Sequence, residues 1–386
     1  MDVVVTGIGL ISALGSLEPS WYKLLQGESG IKSHQPFPDL PSRPLALIGQ
    51  TVASLETLTQ WVVADAIQDA GLTLPLSDCG VVIGSSRGCQ ASWEQLAKRQ
   101  VEPSITPLSS RSPITLDHWL DTFPHQGAIA VTREIGSQQP VLAPMAACAT
   151  GIWAIHRGFE LIQTGQCQRV LVGAVEAPIT PLTLVGFAQI GALAQTGAYP
   201  FDRNREGLVL GEGAAVLVLE SADLALERGA SIYGEVLGFG LTCDAYHVSA
   251  PDPSGRSAVT AIKQCLERSR LSPKDIHYIH AHGTGTRLND KNEAQLIQYL
   301  FSHGVPVSST KGATGHTLGS SGAIAAAFCL MALKHQVLIP CVGLRESEFD
   351  LDLVKVSRQC EVERVLCFSF GFGGQNAVMA LGTFAA

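Results

Sequence analysis

Ala143-Pro-Met-Ala-Ala-Cys-Ala-Thr-Gly-Ile152 places one cysteine among small residues, after a strand-like apolar run and before an amphipathic helix. Apolar residues recur at helical spacing over positions 152–162, so Cys148 lies near the first turn of that helix. Unpaired backbone N–H groups and the helix dipole favour a thiolate there. The stretch therefore predicts a nucleophilic sulfur. A buried inert cysteine would fit the same position, and nine other cysteines are present.

Three glycine-rich motifs follow downstream: His282-Gly-Thr-Gly-Thr286, Lys311-Gly-Ala-Thr-Gly-His316 and Gly371-Phe-Gly-Gly-Gln-Asn376. Together with Cys148-Ala-Thr-Gly, and in this order, they resemble β-ketoacyl-acyl-carrier-protein synthases, the type II elongating ketosynthases of the thiolase-like superfamily. Further matches span nearly the whole chain, at residues 3–9, 176–181, 200–205, 211–213 and 244–247. A single motif of this kind is weak, but the ordered set is specific.

Bulk composition limits the possible function classes. The 386 residues are 46% hydrophobic and 16% charged, which predicts a large core and either two domains or one duplicated domain. The net charge of -8, with no Lys/Arg-rich run, argues against binding to nucleic acid or to a membrane. Ten scattered cysteines without a C-x-x-C pair indicate neither a disulfide framework nor a metal site. The chain enters a strand at once, so we expect a cytoplasmic protein.

The order of predicted elements repeats along the chain. A helix over 63–70 and a buried strand over 80–84 match a helix over 258–266 and a strand over 276–280. The helix after Cys148 and the strand at 169–173 match a helix over 319–333 and a strand at 337–339. Each half closes with a glycine-rich turn flanked by strands, at 208–220 and 367–381. Polar, proline-rich residues 33–44 predict a loop.

This repeat predicts an internal duplication with halves 1–230 and 231–386, in largely parallel sheets covered by helices. The resemblance makes the expectation specific: an α/β thiolase-like fold in five layers (αβαβα) with two buried central helices. Residues 320–333 are uncharged and alanine-rich but too short and small-sided to span a bilayer, which favours a helix buried on all faces.

The resemblance also implies roles for residues of the four motifs. Cys148 would hold the acyl chain, with its backbone N–H and that of Phe372 as oxyanion donors. His282 and His316 would bind the malonyl thioester carbonyl, supported by Lys311. Thr284 and Thr286 would contact the pantetheine arm or only satisfy local backbone. The remaining substrate-binding residues form the loop around the Phe372 gate: Phe370, Gly371 and Gly373. For His247 a structural role is favoured.

Several positions depart from the family pattern. Ala325 replaces a glutamate that pairs with the lysine, so Asp290 and Glu293 are candidate partners for Lys311. Cys367-Phe368 replaces Ser-Asn, and Gln375 stands where a small polar residue is frequent. We therefore expect apolar packing where some members hold a monovalent cation, and no metal.

The sequence does not define the acyl-binding segment or the carrier-docking surface. Residues 90–126, with Trp93, Trp119 and the loop at 109–113, match the family poorly, which leaves acyl length and substrate undefined. Carrier-protein docking could use Arg203 and Arg205, although both could be structural ion-pair partners.

The favoured function is a decarboxylating Claisen condensation of an acyl thioester with malonyl-acyl-carrier protein, giving a 3-oxoacyl thioester in fatty-acid, lipid or polyketide synthesis. It needs no metal or redox cofactor, since the phosphopantetheine arm arrives on the acyl carrier protein. A homodimer is expected. One alternative is a noncatalytic chain-length-factor-like partner, which typically lacks the nucleophile. Another is a thiolase, which uses a second cysteine in the C-terminal glycine loop, whereas Cys367 lies outside that loop.

Overall fold

The computed structural model describes residues 1–101 and 115–385, which form a mixed α/β structure. The strands are β1 (Val3–Ser12), β2 (Gly15–Ser16), β3 (Lys32–His34), β4 (Arg43–Leu45), β5 (Cys79–Gly84), β6 (Val141–Leu142), β7 (Arg169–Glu176), β8 (Gly213–Ser221), β9 (Gly234–Cys243), β10 (Tyr278–His280), β11 (Pro306–Ser308), β12 (Val337–Leu338), β13 (Asp352–Leu353), β14 (Arg358–Gln359), β15 (Arg364–Gly371) and β16 (Gln375–Gly382). The helices are α1 (Leu17–Leu25), α2 (Leu55–Asp69), α3 (Gln90–Val101), α4 (Leu116–Leu120), α5 (Gln126–Ile135), α6 (Thr150–Gln163), α7 (Pro181–Gln189), α8 (Ala222–Glu227), α9 (Arg256–Arg268), α10 (Arg287–Leu300), α11 (Lys311–Thr314) and α12 (Ser321–His335).

Twelve strands of the described chain form one sheet in the order β13-β11-β10-β15-β16-β9-β1-β8-β7-β5-β6, with β2 paired to β1. Outward from the centre, the series β1-β8-β7-β5-β6 repeats as β9-β16-β15-β10-β11, which is the pattern of an internal duplication. The two series join where Val4 and Val5 pair with residues of β9. Antiparallel and parallel pairs are both present in each series, so the largely parallel sheets expected from the sequence are in fact mixed.

The expected alignment of the repeats was wrong at two places. The strand predicted at 337–339 is not the counterpart of β7. Among the described strands β12 pairs only with β14, and β15 occupies the place equivalent to β7 in the large sheet. The turn at 208–220 has a strand on one side only, since Leu208 and Leu210 form isolated bridges. The predicted loop at 33–44 is also closed at its ends by the β3–β4 hairpin.

Five layers result from how the helices pack on this sheet. Helices α2 and α5 cover the N-terminal series, and α9 covers β9 and β16. Helices α6 and α12 lie between the two series and contact each other. This is the thiolase-like arrangement, with two buried central helices.

Helix α12 is buried on all faces, as its uncharged sequence predicted. The segment Leu318–His335 is long and apolar enough to cross a membrane, but 83% of it is buried inside the protein. It is therefore a core helix. Its contact with α6 passes through Gly151, where a Cβ atom would lie 2.4 Å from the backbone nitrogen of Ala323. Only glycine permits this approach.

Candidate active site

Cys148 lies in a tight turn that ends at the first residue of α6. Ala147 has a φ of 47°, a left-handed conformation that is rare for residues with a side chain. The Thr150 hydroxyl stabilises the turn: it donates to the carbonyl of Ala147 at 2.7 Å and accepts from the N–H of Ala146 at 2.9 Å. From the other half of the chain, the Ser369 hydroxyl donates to the Cys148 carbonyl at 2.8 Å. Cys148 is therefore held by contacts from both halves.

Two imidazoles converge on this cysteine. The reactive atoms of Cys148, His282 and His316 all lie within 4.8 Å of one another, and the two imidazole ring centroids are 5.3 Å apart. The Nδ1 of His316 is 2.9 Å from the Ser321 hydroxyl, which leaves its Nε2 for the cavity. The three side chains could also hold a soft divalent cation such as Zn²⁺. The sequence did not indicate such a metal site because the three residues are far apart in the chain.

Lys311 fixes the ring orientation of His282. Its ammonium donates to the carbonyl of His282 and lies 3.4 Å from the Nδ1 of the same residue. Burial lowers the pKa of Lys311, and the nearby Glu293 opposes that shift. When Lys311 is protonated it carries only donors, so Nδ1 accepts and the proton of His282 resides on Nε2. His282 can therefore donate a hydrogen bond into the cavity.

Burial dominates the electrostatics of the site. It lowers the pKa of His282 and of His316 well below 6.5, and the charge of Lys311 lowers them further, so both rings are neutral. Burial raises the pKa of the Cys148 thiol to about 11, against the opposing effects of Lys311 and the Phe372 backbone N–H. The resting group is therefore a thiol, not the thiolate that its position predicted.

Asp290 and Glu293 lie beneath the His282 loop, and neither forms an ion pair with Lys311 in the described part of the chain. Glu293 accepts from the N–H groups of His282 and Gly283, at 2.5 and 2.8 Å. Asp290 accepts from the Phe201 N–H at 2.8 Å. Burial raises the pKa of Glu293 to about 7. The two carboxylates therefore position the loop, and the direct partner of Lys311 is His282 instead.

Glu176 is a site residue to which the sequence analysis gave no role. Its buried carboxylate accepts from the backbone N–H groups of Ser86, Arg87 and Gly319, at 2.9, 3.0 and 2.9 Å. The hydroxyls of Ser85 and Ser86 donate to it as well. It thereby ties the loop after β5 to the turn between His316 and α12. The available signal was a buried acid, Glu176, that directly follows the apolar residues 170–175 of β7.

A cavity of about 330 Å³ opens above the reactive atoms. Cys148, His282 and His316 line it together with Thr284, Thr286, Phe370, Gly371 and Phe372. The hydroxyls of Thr284 and Thr286 are 2.9 Å apart, and the Thr284 hydroxyl also accepts from the Thr286 N–H, so the two residues form hydrogen bonds with each other.

Phe372 lies at the tip of the β15–β16 hairpin. Its ring stacks on that of Phe187 with centroids 5.8 Å apart. The next residue, Gly373, is exposed and has a φ of 77°, which a residue with a Cβ would rarely adopt. The aromatic ring therefore lies beside the nucleophile and is followed in the chain by a glycine with a positive φ.

Other predicted residues lie away from the cavity. The exposed His247 accepts from the N–H groups of Ser249 and Ala250 at 3.1 Å, a local structural contact. Arg205 is buried, pairs with Glu348 at 2.7 Å and cannot reach a docking partner.

Arg203 is exposed and pairs with Glu346 at 2.8 Å. In the poorly matching segment, α3 and α4 carry the exposed Trp93 and Trp119. The loop at 109–113 falls outside the described residues.

Three of the positions that depart from the family pattern lie in the apolar core, whereas Gln375 is half-buried at the start of β16. Ala325 and Phe368 are both almost fully buried, each within a cluster of apolar side chains. Cys367 is buried on β15 beside Cys329. It does not line the cavity of Cys148.

Comparison with known families agrees with this geometry. Residues 50–225 match the family model described as "Beta-ketoacyl synthase, N-terminal domain", and residues 233–345 match "Beta-ketoacyl synthase, C-terminal domain". The chain belongs to the β-ketoacyl synthase family. Among curated relatives, the 3-oxoacyl-[acyl-carrier-protein] synthase 2 of Synechocystis sp. is 36% identical over 98% of this chain and 97% of its own. That of Staphylococcus aureus is 32% identical over 100% of this chain and 99% of its own.

Solved structures place this β-ketoacyl synthase in the same fold. A type II polyketide ketosynthase complex with its acyl-carrier protein, AntDE:AntF, matches with a TM-score of 0.93 and 26% identity over 99% of both chains. The ishigamide ketosynthase/chain length factor matches at 0.91 and 29%, covering 100% of this chain and 99% of that one. A β-ketoacyl synthase from Burkholderia phymatum matches at 0.90 and 28% over the full length of both.

Proposed function

We propose that this protein catalyses a decarboxylating Claisen condensation between an acyl thioester and a malonyl thioester. The observation that carries the proposal is the buried thiol of Cys148 with two neutral imidazoles, all three reactive atoms lying within 4.8 Å. A nucleophile that holds the acyl group and donors that stabilise an enolate oxygen are the two requirements of this reaction.

In the first half-reaction the Cys148 sulfur attacks the acyl carbonyl. The C–S bond to the carrier breaks, and the carrier thiol leaves with the proton that Cys148 gives up. The backbone N–H groups of Cys148 and Phe372 would stabilise the oxyanion that forms between these steps. Because burial keeps the resting group a thiol and the thiolate is the nucleophile, Cys148 must give up its proton before or during the attack.

In the second half-reaction the malonyl thioester binds with its carbonyl oxygen between His282 and His316. The carboxylate leaves as CO₂, and the electron pair of the broken C–C bond forms an enolate whose oxygen accepts from the His282 Nε2–H. The enolate carbon attacks the acyl carbonyl on Cys148. The C–S bond to Cys148 then breaks with its electron pair on sulfur, the 3-oxoacyl thioester leaves, and the Cys148 thiolate takes up one proton from solvent. Neutral imidazoles suit this role because they donate without a prior change of charge.

The alternatives are less consistent with the site. A noncatalytic chain-length-factor-like subunit would not require the nucleophile, both imidazoles and Lys311 around one cavity. A thiolase would need a second cysteine beside the first, and Cys367 lies in the core instead. The decarboxylating condensation, catalysed by an acyltransferase, thus remains the favoured function.

The partner that supplies both substrates is proposed to be an acyl carrier protein. The curated relatives are named as acyl-carrier-protein synthases, and AntDE:AntF is a ketosynthase bound to such a carrier. Three further expectations belong to the proposal: a homodimer, a cytoplasmic location, and catalysis without a metal or redox cofactor.

The test is intact-mass analysis of the purified protein with acyl-carrier thioesters, followed by malonyl-carrier protein. We expect an acyl adduct that disappears as 3-oxoacyl product and CO₂ form. Cys148→Ala should form no adduct, whereas Cys367→Ala should retain it as the matched control. A folded wild-type protein that forms no adduct with any donor would overturn the proposal.

A further inference from the structure

The guanidinium of Arg87 lies beside the acylation site, and the condensation reaction gives it no role. Arg87 follows β5 in the loop fixed by Glu176, which accepts its backbone N–H at 3.0 Å. Its side chain extends over the ring of Phe187, with the guanidinium carbon 5.5 Å from the ring centroid. A buried carboxylate thus holds the backbone of Arg87, and the face of Phe187 supports its guanidinium.

Phe187 links Arg87 to the gate. The same ring stacks on Phe372, and both aromatic residues line the cavity of Cys148. Cys148 and Phe187 also share one buried apolar cluster, against which Phe372 packs. The positive charge of Arg87 is close enough to lower the pKa of the Cys148 thiol, against the larger effect of burial. An acyl chain that displaces Phe372 would therefore pass close to this charge.

Arg87 has no compensating anion in the part of the chain that the structure describes. The only interactions found there for its side chain are with the face of Phe187. The carboxylate of Glu176 is taken up by backbone N–H groups and serine hydroxyls, not by the guanidinium. A guanidinium with five N–H donors and no acidic partner can still accept a ligand oxygen.

Whether the interaction between the acyl chain and the Arg87 guanidinium is favourable depends on the functional groups of the chain. A plain hydrocarbon chain would remove water from the guanidinium without offering a hydrogen bond, which is unfavourable. A chain that carries a carboxylate or a keto oxygen would replace that water with a charge-assisted hydrogen bond. The same residue thus penalises one donor and favours the other.

We infer that Arg87 is a specificity-determining residue that selects acyl donors bearing an oxygen acceptor, a carboxylate or a keto group, beyond the thioester carbonyl. This inference rests on the proposed condensation and names its substrate class. Arg87 acts on the acyl chain and does not take part in bond making at Cys148.

The experiment compares three carrier thioesters of equal chain length: hexanoyl, 5-oxohexanoyl and the half-thioester of adipic acid. Intact-mass kinetics give the rate at which each acylates Cys148. The wild-type protein should prefer one or both oxygen-bearing donors over hexanoyl. In Arg87→Met, which keeps an apolar contact with Phe187, that preference should fall about tenfold or more, because a charged hydrogen bond is lost. Hexanoyl transfer should become faster.

Two controls separate charge from position. Arg87→Lys keeps the cation and should retain a preference for the carboxylate donor. Arg358→Met removes a partly exposed arginine that pairs with Asp352 elsewhere on the protein and should leave all three rates unchanged.

Equal rates for the three donors in the wild-type protein, or an unchanged preference in Arg87→Met, would overturn the inference while the condensation stands. Absence of any adduct with all donors would overturn the proposed function and this inference with it.

Discussion

Replacing Gly151 by alanine should separate the two central helices and move the nucleophile. The added Cβ would lie 2.4 Å from the Ala323 nitrogen and 3.1 Å from the carbonyl carbon of Gly322. The first distance is 1 Å short of the 3.4 Å at which ordinary contacts begin. Since both contacts are backbone atoms inside the core, α6 and α12 must move apart by roughly that amount to relieve the overlap.

This displacement has two measurable effects. Overpacking of a dense core costs about 1–3 kcal/mol of unfolding free energy. A shift of about 1 Å between reacting groups can reduce a rate roughly 100-fold, and Cys148 and His316 each lie next to one of these helices. Urea unfolding measures the first effect. Single-turnover acylation and malonyl decarboxylation measure the second.

Gly186→Ala is the matched control, because Gly186 lies in α7 and no atom of the described residues comes within 4 Å of an added Cβ. That change should stabilise the helix slightly, by up to about 1 kcal/mol, and leave both rates intact. If Gly151→Ala were as stable and as active as the wild type, the helix contact would not control the geometry of the site, and our reasoning would be refuted.

Three further predictions concern the cavity and the buried charges. The pKa values of His282 and His316 lie well below 6.5 in the folded protein, so below pH 6.5 the unfolded chain binds protons that the folded protein does not. The unfolding free energy from urea titrations should therefore be fully retained above pH 6.5 and decrease as the pH falls below 6.5. A flat profile down to about pH 5 would contradict this. Phe372→Ala removes the ring beside Cys148 and should accelerate iodoacetamide alkylation of that thiol severalfold, as mass spectrometry over time would show; an unchanged rate would rule out a gate. Arg205→Ala should cost about 3–5 kcal/mol of unfolding free energy, because Arg205 lies 3.9 Å from the fully buried carboxylate of Asp290 and its removal leaves that carboxylate without a cation. Arg203→Ala, at an exposed pair, should cost less than about 1 kcal/mol. Equal losses in chemical denaturation would refute the assignment of Arg205 to the core.

The family and the fold could be predicted from sequence because the motif glycines and their neighbours are tied to backbone geometry. Gly151 needs its small size for the helix crossing, and Gly373 needs a positive φ at the gate. Helix α12 was recognisable since an uncharged, alanine-rich segment of that length has few alternatives in a globular protein. The order of the four motifs was therefore enough to predict which loops come together at the active site.

The register of the repeats could not be predicted in the same way. Short apolar runs such as β12 and β15 look alike in sequence, and only the sheet shows that β15 is the partner of β10. The mixture of parallel and antiparallel strands could not be predicted either, because a fully buried strand has the same apolar pattern in both orientations.

The protonation state of Cys148 and the hydrogen-bond partners of the buried acids also could not be predicted from the sequence. The helix terminus at Cys148 favours a thiolate, but burial outweighs it and raises the pKa of the thiol to about 11. Asp290 and Glu293 were expected at Lys311, yet both bind backbone N–H groups of the His282 region. Glu176 is 143 positions from Gly319, a contact that no local pattern encodes.

The position of α12 has a consequence for how the protein folds. This helix belongs to the C-terminal half of the sequence, yet it packs on β1 and β8 as well as on β9, β15 and β16. Because all its faces are buried, either half expressed alone would expose an apolar surface and aggregate. The duplicated halves must therefore fold as one cooperative unit, and a cut in the connector at residues 228–233 should yield two fragments that are soluble only together.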